Sequence, residues 1–146
     1  MSESSAPAVL PRFHDLDLAA DGSPSDTGQA VVLLLCAAWC GVCRGFEVAT
    51  AAAARESEAA WAWIDIEDAA DALPSLDVET FPTLAVIRAG ELRFFGPILP
   101  DGGILGRSVR AALEGSGRPA LPPAFSTDEG AELLALAAAV ARRRRP

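Results

Sequence analysis

The stretch Val31-Val32-Leu33-Leu34-Leu35-Cys36-Ala37-Ala38-Trp39-Cys40-Gly41-Val42-Cys43 decides how the chain folds. Val31 to Leu35 is a continuous apolar run with β-branched members. Such a run reads as a strand buried on both faces, the pattern of a parallel sheet. From Cys40 to about Arg55 the pattern turns helical, and Ala49 and Ala51 to Ala54 favour helix strongly. Cys40 and Cys43 therefore stand where a buried strand meets a helix N-terminus. Free backbone N–H groups and the positive end of the helix dipole favour negative charge there. A thiolate at Cys40 would be stabilised, with a pKa below the ~8.5 of a free cysteine. Cys43, one turn on, would be more sheltered. The two sulfurs can close a small disulfide with little backbone movement, so one thiol attacks and the other resolves.

Downstream of this junction, Trp61 to Ile66 reads as a second strand, with Trp61 and Trp63 on one side and Ile64 and Ile66 on the other. Asp68 to Leu76 suits a short helix with acidic residues in its first turn. Thr83 to Arg88 is a third strand, Ala89-Gly90 a tight turn, and Leu92 to Phe95 an antiparallel hairpin partner. Ile104 to Leu113 forms a further helix, closed by Gly115. This order implies an α/β fold flanked by helices. Its mixed central sheet would have three parallel-type strands plus a C-terminal hairpin strand, with a right-handed βαβ crossover.

Four parts are expected along the chain. Residues 1–28 form an N-terminal arm: Ser-, Pro- and Ala-rich and loose to residue 12, a short helix over Phe13 to Ala20, then a loop from Asp21 to Gly28. Residues 29–115 form the α/β domain, and 116–125 a Pro-rich connector. Residues 126–146 form a C-terminal helix to Ala141 with a basic tail, Arg142 to Arg145. Ser126 and Glu129 fit a capping box at its start. Leu133, Leu136, Ala137 and Val140 share one helical face. That stripe packs on the domain in the reading favoured here; the other reading docks it on a partner, including a second copy of the chain.

Composition narrows the function. Of 146 residues, 51% are hydrophobic and 22% charged, which permits a buried core and excludes wholesale disorder. The uncharged stretch Ala30 to Cys43 is shorter than the ~20 apolar residues of a membrane helix. The N-terminus lacks a basic start followed by an apolar run, so neither a secretory signal nor a membrane partner is expected, and the chain is placed in the cytoplasm. Net charge is −8, from 12 basic and 20 acidic residues, with four of the basic ones in the terminal Arg run. So acidic a body repels phosphate backbones, and no nucleic-acid partner is expected.

Three cysteines cannot form a fully paired framework within one chain. A structural zinc site wants four Cys or His ligands; His14 is the single histidine and no second CxxC exists. No metal or cofactor is expected, and redox chemistry at Cys40 and Cys43 is the remaining use of the pair. Cys36 reads as a small buried hydrophobe at a strand end. Asp65, Glu67 and Asp68 read as strand-end and helix-cap polar groups.

Trp39-Cys40-Gly41-Val42-Cys43 resembles the active-site motif of the thioredoxin family, usually Trp-Cys-Gly-Pro-Cys. Phe81-Pro82-Thr83 resembles that family's cis-proline segment, and Gly90-Glu91 falls where its hairpin turn would lie. The resemblance covers roughly Val31 to Gly115. It implies a thiol–disulfide oxidoreductase acting on protein disulfides, with Cys40 as nucleophile, Cys43 as resolving thiol, and an external reductase to recycle the pair. It further implies that Trp39 contributes an apolar rim beside Gly41 and Val42. Pro82 would be cis and face the cysteines, with Phe81 and Thr83 beside it along the substrate. Leu34 stands where the family commonly has a buried Asp, Trp63 where a Lys often partners it, and Val48 where the helix usually has a kinking Pro. The alternative reading is a non-catalytic or chaperone-like binding module of the same fold.

Overall fold

The computed structural model describes residues 10–18, 29–115, 117–123 and 125–144. The first nine residues of the expected arm, the expected loop from Asp21 to Gly28 and the end of the basic tail lie outside the described residues. Four strands, β1 (Val31–Cys36), β2 (Ala60–Asp65), β3 (Thr83–Arg88) and β4 (Glu91–Pro97), form one sheet in the order β2-β1-β3-β4. β1 and β2 are parallel and joined through helix α1 (Gly41–Arg55), which is the expected βαβ unit. β1 is central and all six of its residues are buried, which is why its sequence shows no polar alternation.

The sheet is mixed, as expected, but β3 runs antiparallel to β1 as well as to β4. The expected trio of parallel-type strands is therefore a parallel pair. The cause is the link between β2 and β3. Residues 66–82 form turns where a parallel crossover would need a long helix. The chain consequently re-enters the sheet at the end it left: Cys36 of β1 pairs with Asp65, and the neighbouring Leu35 with Thr83. The helix expected over Asp68 to Leu76 is likewise replaced by turns, held by Leu73 N–H to Ala69 O (3.0 Å) and Leu76 N–H to Leu73 O (3.2 Å). Pro74 accounts for this, since it lacks an N–H and disfavours helical backbone at Leu73 before it.

β3 and β4 form the expected hairpin, its two-residue turn at Ala89 (φ 52°) and Gly90 (φ 77°). Both residues lie in the left-handed region, which matches a turn to the twist of the strands. Helix α2 (Gly102–Glu114) starts at Asp101, whose carboxylate accepts the Ile104 N–H at 3.0 Å. Helix α3 (Thr127–Arg144) starts with the expected capping box: Ser126 Oγ accepts from Glu129 N–H (3.1 Å) and Glu129 Oε1 from Ser126 N–H (2.8 Å).

Strand alternation sorts the core into two faces. Val32, Leu34 and Cys36 point with Trp61, Trp63, Leu84 and Val86 toward Phe46 of α1 and Leu105 and Val109 of α2. Leu33, Leu35, Ala62, Ile64 and Ala85 point the other way, toward Leu133, Leu136, Ala137 and Val140 of α3. The C-terminal stripe therefore packs on its own sheet.

Both edges of the sheet are covered. Trp63 N–H donates to Pro11 O at 2.9 Å beyond β2, and Phe95 N–H donates to Ala120 O at 3.0 Å beyond β4. Leu10 to Arg12, expected to be loose, are thus tied to the sheet. The helix expected over Phe13 to Ala20 is a single 3₁₀ turn, Phe13–Asp15; Ala19 and Ala20 lie outside the described residues. Among the described residues no helix is long and apolar enough to cross a membrane.

Candidate active site

β1 delivers the chain to the site, and α1 begins there. After Cys36 the loop turns at Ala37, whose carbonyl accepts the Cys40 N–H at 2.9 Å. Cys40 is the N-cap of α1, in extended conformation (φ −86°, ψ 109°). Its side chain therefore lies over the open first turn of the helix, where N–H groups lack intrahelical partners.

Cys40 is partly exposed. Its thiol pKa is lowered, chiefly by the Cys43 backbone N–H facing the sulfur; loss of solvent, the next largest influence, works the other way and is outweighed with the help of the Cys43 thiol, the Val42 N–H and the Arg44 charge. The contact falls short of a full side-chain cap hydrogen bond, so the stabilisation comes from several partial donors. Cys43, only 1% exposed, has its thiol pushed up by burial. One sulfur is thus poised to ionise at the surface while its mate is held protonated beneath it. The described cysteines are all free thiols.

Apolar side chains of the motif are exposed beside the cysteines in sequence. Trp39 is 65% exposed and Val42 53%. The Trp39 ring meets Phe81 edge-on, with centroids 5.6 Å apart at 87°, an arrangement favoured by the opposed charge of ring face and ring edge. Gly41, the first residue of α1, is exposed. Phe81–Pro82 is a cis peptide, and Phe81 packs against the same apolar cluster that holds Cys43. Pro82 is buried, and its carbonyl accepts the Ile98 N–H at 3.1 Å. The Thr83 side chain is buried at 3% exposure, and its hydroxyl donates to Thr80 O.

The replaced family positions come together in space. Leu34 and Trp63 are direct partners in the β1–β2 register and both are buried. An apolar pair in the cluster of Cys43 thus occupies the two positions at which the resemblance implies an Asp and a Lys. Arg12 lies over the Trp63 ring at 5.5 Å and pairs with Glu47. Val48 is exposed and α1 runs unbroken past it. Asp65 acts as a strand-end cap, its Oδ1 accepting the Glu67 and Asp68 N–H groups at 2.8 and 3.2 Å.

Three residues join the site without having been singled out for it. Arg44 braces the loop by donating to Ala38 O at 2.7 Å. Leu99, 66% exposed, follows β4 at the end of the sheet where Ile98 meets Pro82. Cys36 is buried in the same apolar cluster as Cys43. Strand alternation carried a signal for Cys36, since Leu34 and Cys36 must share a face. Among the described residues no group of His, Cys, Asp and Glu is arranged to hold a metal ion. A groove of about 470 Å³ lies away from the cysteines, between α1 and α2, over Ala53, Trp61 and Gly106.

A family model described as Thioredoxin matches residues 24–96. A point mutant of thioredoxin from Halobacterium salinarum shares the fold at TM-score 0.60 and 21% identity, covering 79% of this chain and 100% of that one. Thioredoxin f from spinach chloroplast does so at TM-score 0.57 and 16% identity, covering 72% and 87%. Mitochondrial thioredoxin 3 from Saccharomyces cerevisiae does so at 0.52 and 17%, covering 58% and 80%. No curated protein sequence matches the chain.

Proposed function

The chain belongs to the thioredoxin family, and from that premise we propose that it exchanges thiols and disulfides with protein substrates through Cys40 and Cys43. Family and fold support thiol–disulfide oxidoreductase chemistry in general. The specific reading is carried by one observation: an ionisable, partly exposed Cys40 thiol at the start of α1 sits directly above a sheltered Cys43.

The cycle follows from that asymmetry. The Cys40 thiolate attacks one sulfur of a substrate disulfide. The other sulfur leaves with the electron pair and takes up a proton, and a mixed disulfide remains. Cys43 then loses its proton and attacks Cys40. The second substrate sulfur leaves as a thiolate, so the substrate gains two electrons and the protein holds a Cys40–Cys43 disulfide. A thiol reductant, supplied in the cell by a recycling reductase, restores the pair. Trp39, Val42 and Phe81 supply an apolar surface for an extended, apolar substrate segment. A reducing compartment such as the cytoplasm suits an odd set of free thiols.

Insulin reduction driven by dithiothreitol tests this reading. Cys40→Ser is expected to abolish turnover above the uncatalysed rate, and Cys43→Ser to accumulate mixed disulfides. Undiminished turnover in Cys40→Ser would reject the assignment in favour of a binding module.

A further inference from the structure

The strand registers bring one end of every strand to the side of the sheet where Cys40 stands. Asp65 of β2 is the partner of Cys36 in β1, and Thr83 of β3 pairs with both Leu35 and Pro97. The segments beyond those ends are tied to one another. Ile66 N–H donates to Cys36 O at 2.7 Å, the Trp39 ring meets Phe81, and Ile98 N–H donates to Pro82 O at 3.1 Å. The same end carries the exposed apolar side chains of Trp39, Val42 and Leu99.

The charge in these segments is mostly of one sign. Glu67 and Asp68 follow β2, Glu79 precedes Phe81 by two residues, and Asp101 follows Leu99 by two; all four are exposed. From Asp65 to Pro82 the sequence has no basic residue. The hydrogen bonds made here leave the charges in place: Asp65 accepts the Glu67 and Asp68 N–H groups, and Asp101 accepts the Ile104 N–H. His14 Nε2 lies 3.5 Å from Asp68. The arginines nearest in the chain are Arg44, in the first turn of α1, and Arg107, in the second turn of α2. At the other end of the sheet the signs are mixed, with Arg55 and Arg88 among Glu56, Glu58 and Glu91. Exposed charges act over about 10 Å at 0.1 M salt. A field of one sign around a site raises the local concentration of oppositely charged ligands, and their association rate, about tenfold or more.

We propose that the substrates are protein disulfides set in basic segments: the part next to the substrate cysteine meets the apolar surface of Trp39, Val42 and Phe81, and Lys or Arg side chains on either side of it meet the acidic border at Glu67, Glu79 and Asp101. This rests on the exchange reaction proposed above and adds the class of substrate to it. The apolar surface alone does not discriminate among disulfides with hydrophobic neighbours. The border does so by charge, before any bond is made or broken, and the electron flow of the cycle is unchanged.

Three symmetric peptide disulfides, with arginine, serine or glutamate on both sides of the cysteine, test it with the reduced full-length protein. Acid-quenched samples give the rate of peptide-thiol release. Dividing each rate by that of the same peptide with dithiothreitol removes differences in the disulfide itself. The arginine peptide should react about tenfold faster than the glutamate peptide at low ionic strength, with serine between them, and the ratio should fall below about twofold at high salt. Glu67→Gln with Glu79→Gln should cut the low-salt ratio to about threefold. Glu56→Gln with Glu58→Gln removes the same charge from the other end of the sheet and should leave the ratio at its wild-type value. Equal normalised rates, a preference for the glutamate peptide, or the same fall in both double variants would overturn the proposal while leaving the exchange reading in place. No release from any of the three peptides would overturn the exchange reading itself.

Discussion

On the face of β1 that carries Val32, Leu34 and Cys36, the covering helix arrives with chemistry at its tip; on the face that carries Leu33 and Leu35, α3 arrives with Leu, Ala and Val alone. Both faces are equally sealed. What separates them is how each helix begins. α1 starts at Cys40, whose side chain does not complete a cap, so N–H groups remain to stabilise an anion. α3 starts at Ser126 and Glu129, which satisfy the first turn reciprocally. A closed helix start holds the fold, and an open one, at the exposed end of the sheet, is available for reaction.

The largest expected effect falls on the α3 face. Leu136 is fully buried, and Leu136→Ala should lower stability by about 3 kcal/mol in urea unfolding. Cys40 alkylation of the folded protein should keep its wild-type rate. A parallel fall in Cys40 reactivity would mean the faces are coupled. Ser126→Ala should cost about 1 kcal/mol by loss of the capping box, again with Cys40 unaffected. Arg44→Ala should do the converse on a smaller scale. Arg44 is exposed and acts on Cys40 by charge, so its loss should slow alkylation at mildly acidic pH by about twofold and leave the urea midpoint in place.

The same division explains what could be read from the residues. Local patterns were legible: the apolar run of β1, the Ala89-Gly90 turn, the Ser126–Glu129 capping box and the Leu stripe of α3 all depend on neighbours within a few positions. The motif around Cys40 was legible for the same reason. The direction of β3 was not, because it depends on where residues 66–82 leave the chain, and Pro74 there breaks an otherwise helical pattern. The edge pairing of Leu10 to Arg12 with Trp63 and the exposed Leu99 beside Pro82 depend on sheet order. Cys36 lies between these cases. Alternation gives its face, but its place in one cluster with Cys43 needs the placement of α1 against β1.

The central claim is that the cysteines of one short segment ionise in opposite senses. Iodoacetamide labelling of the reduced protein across pH, read peptide by peptide, tests it most directly. The Cys40 pKa is lowered, so its thiolate persists below the ordinary thiol range and disappears only as pH falls through that lowered value. Cys43 and Cys36 are shifted upward by burial and should remain unlabelled at neutral pH. The account predicts a Cys40 midpoint below about 8.5 with the other two cysteines protected. A Cys40 midpoint at or above the free-thiol value, or earlier labelling of Cys43, would contradict it.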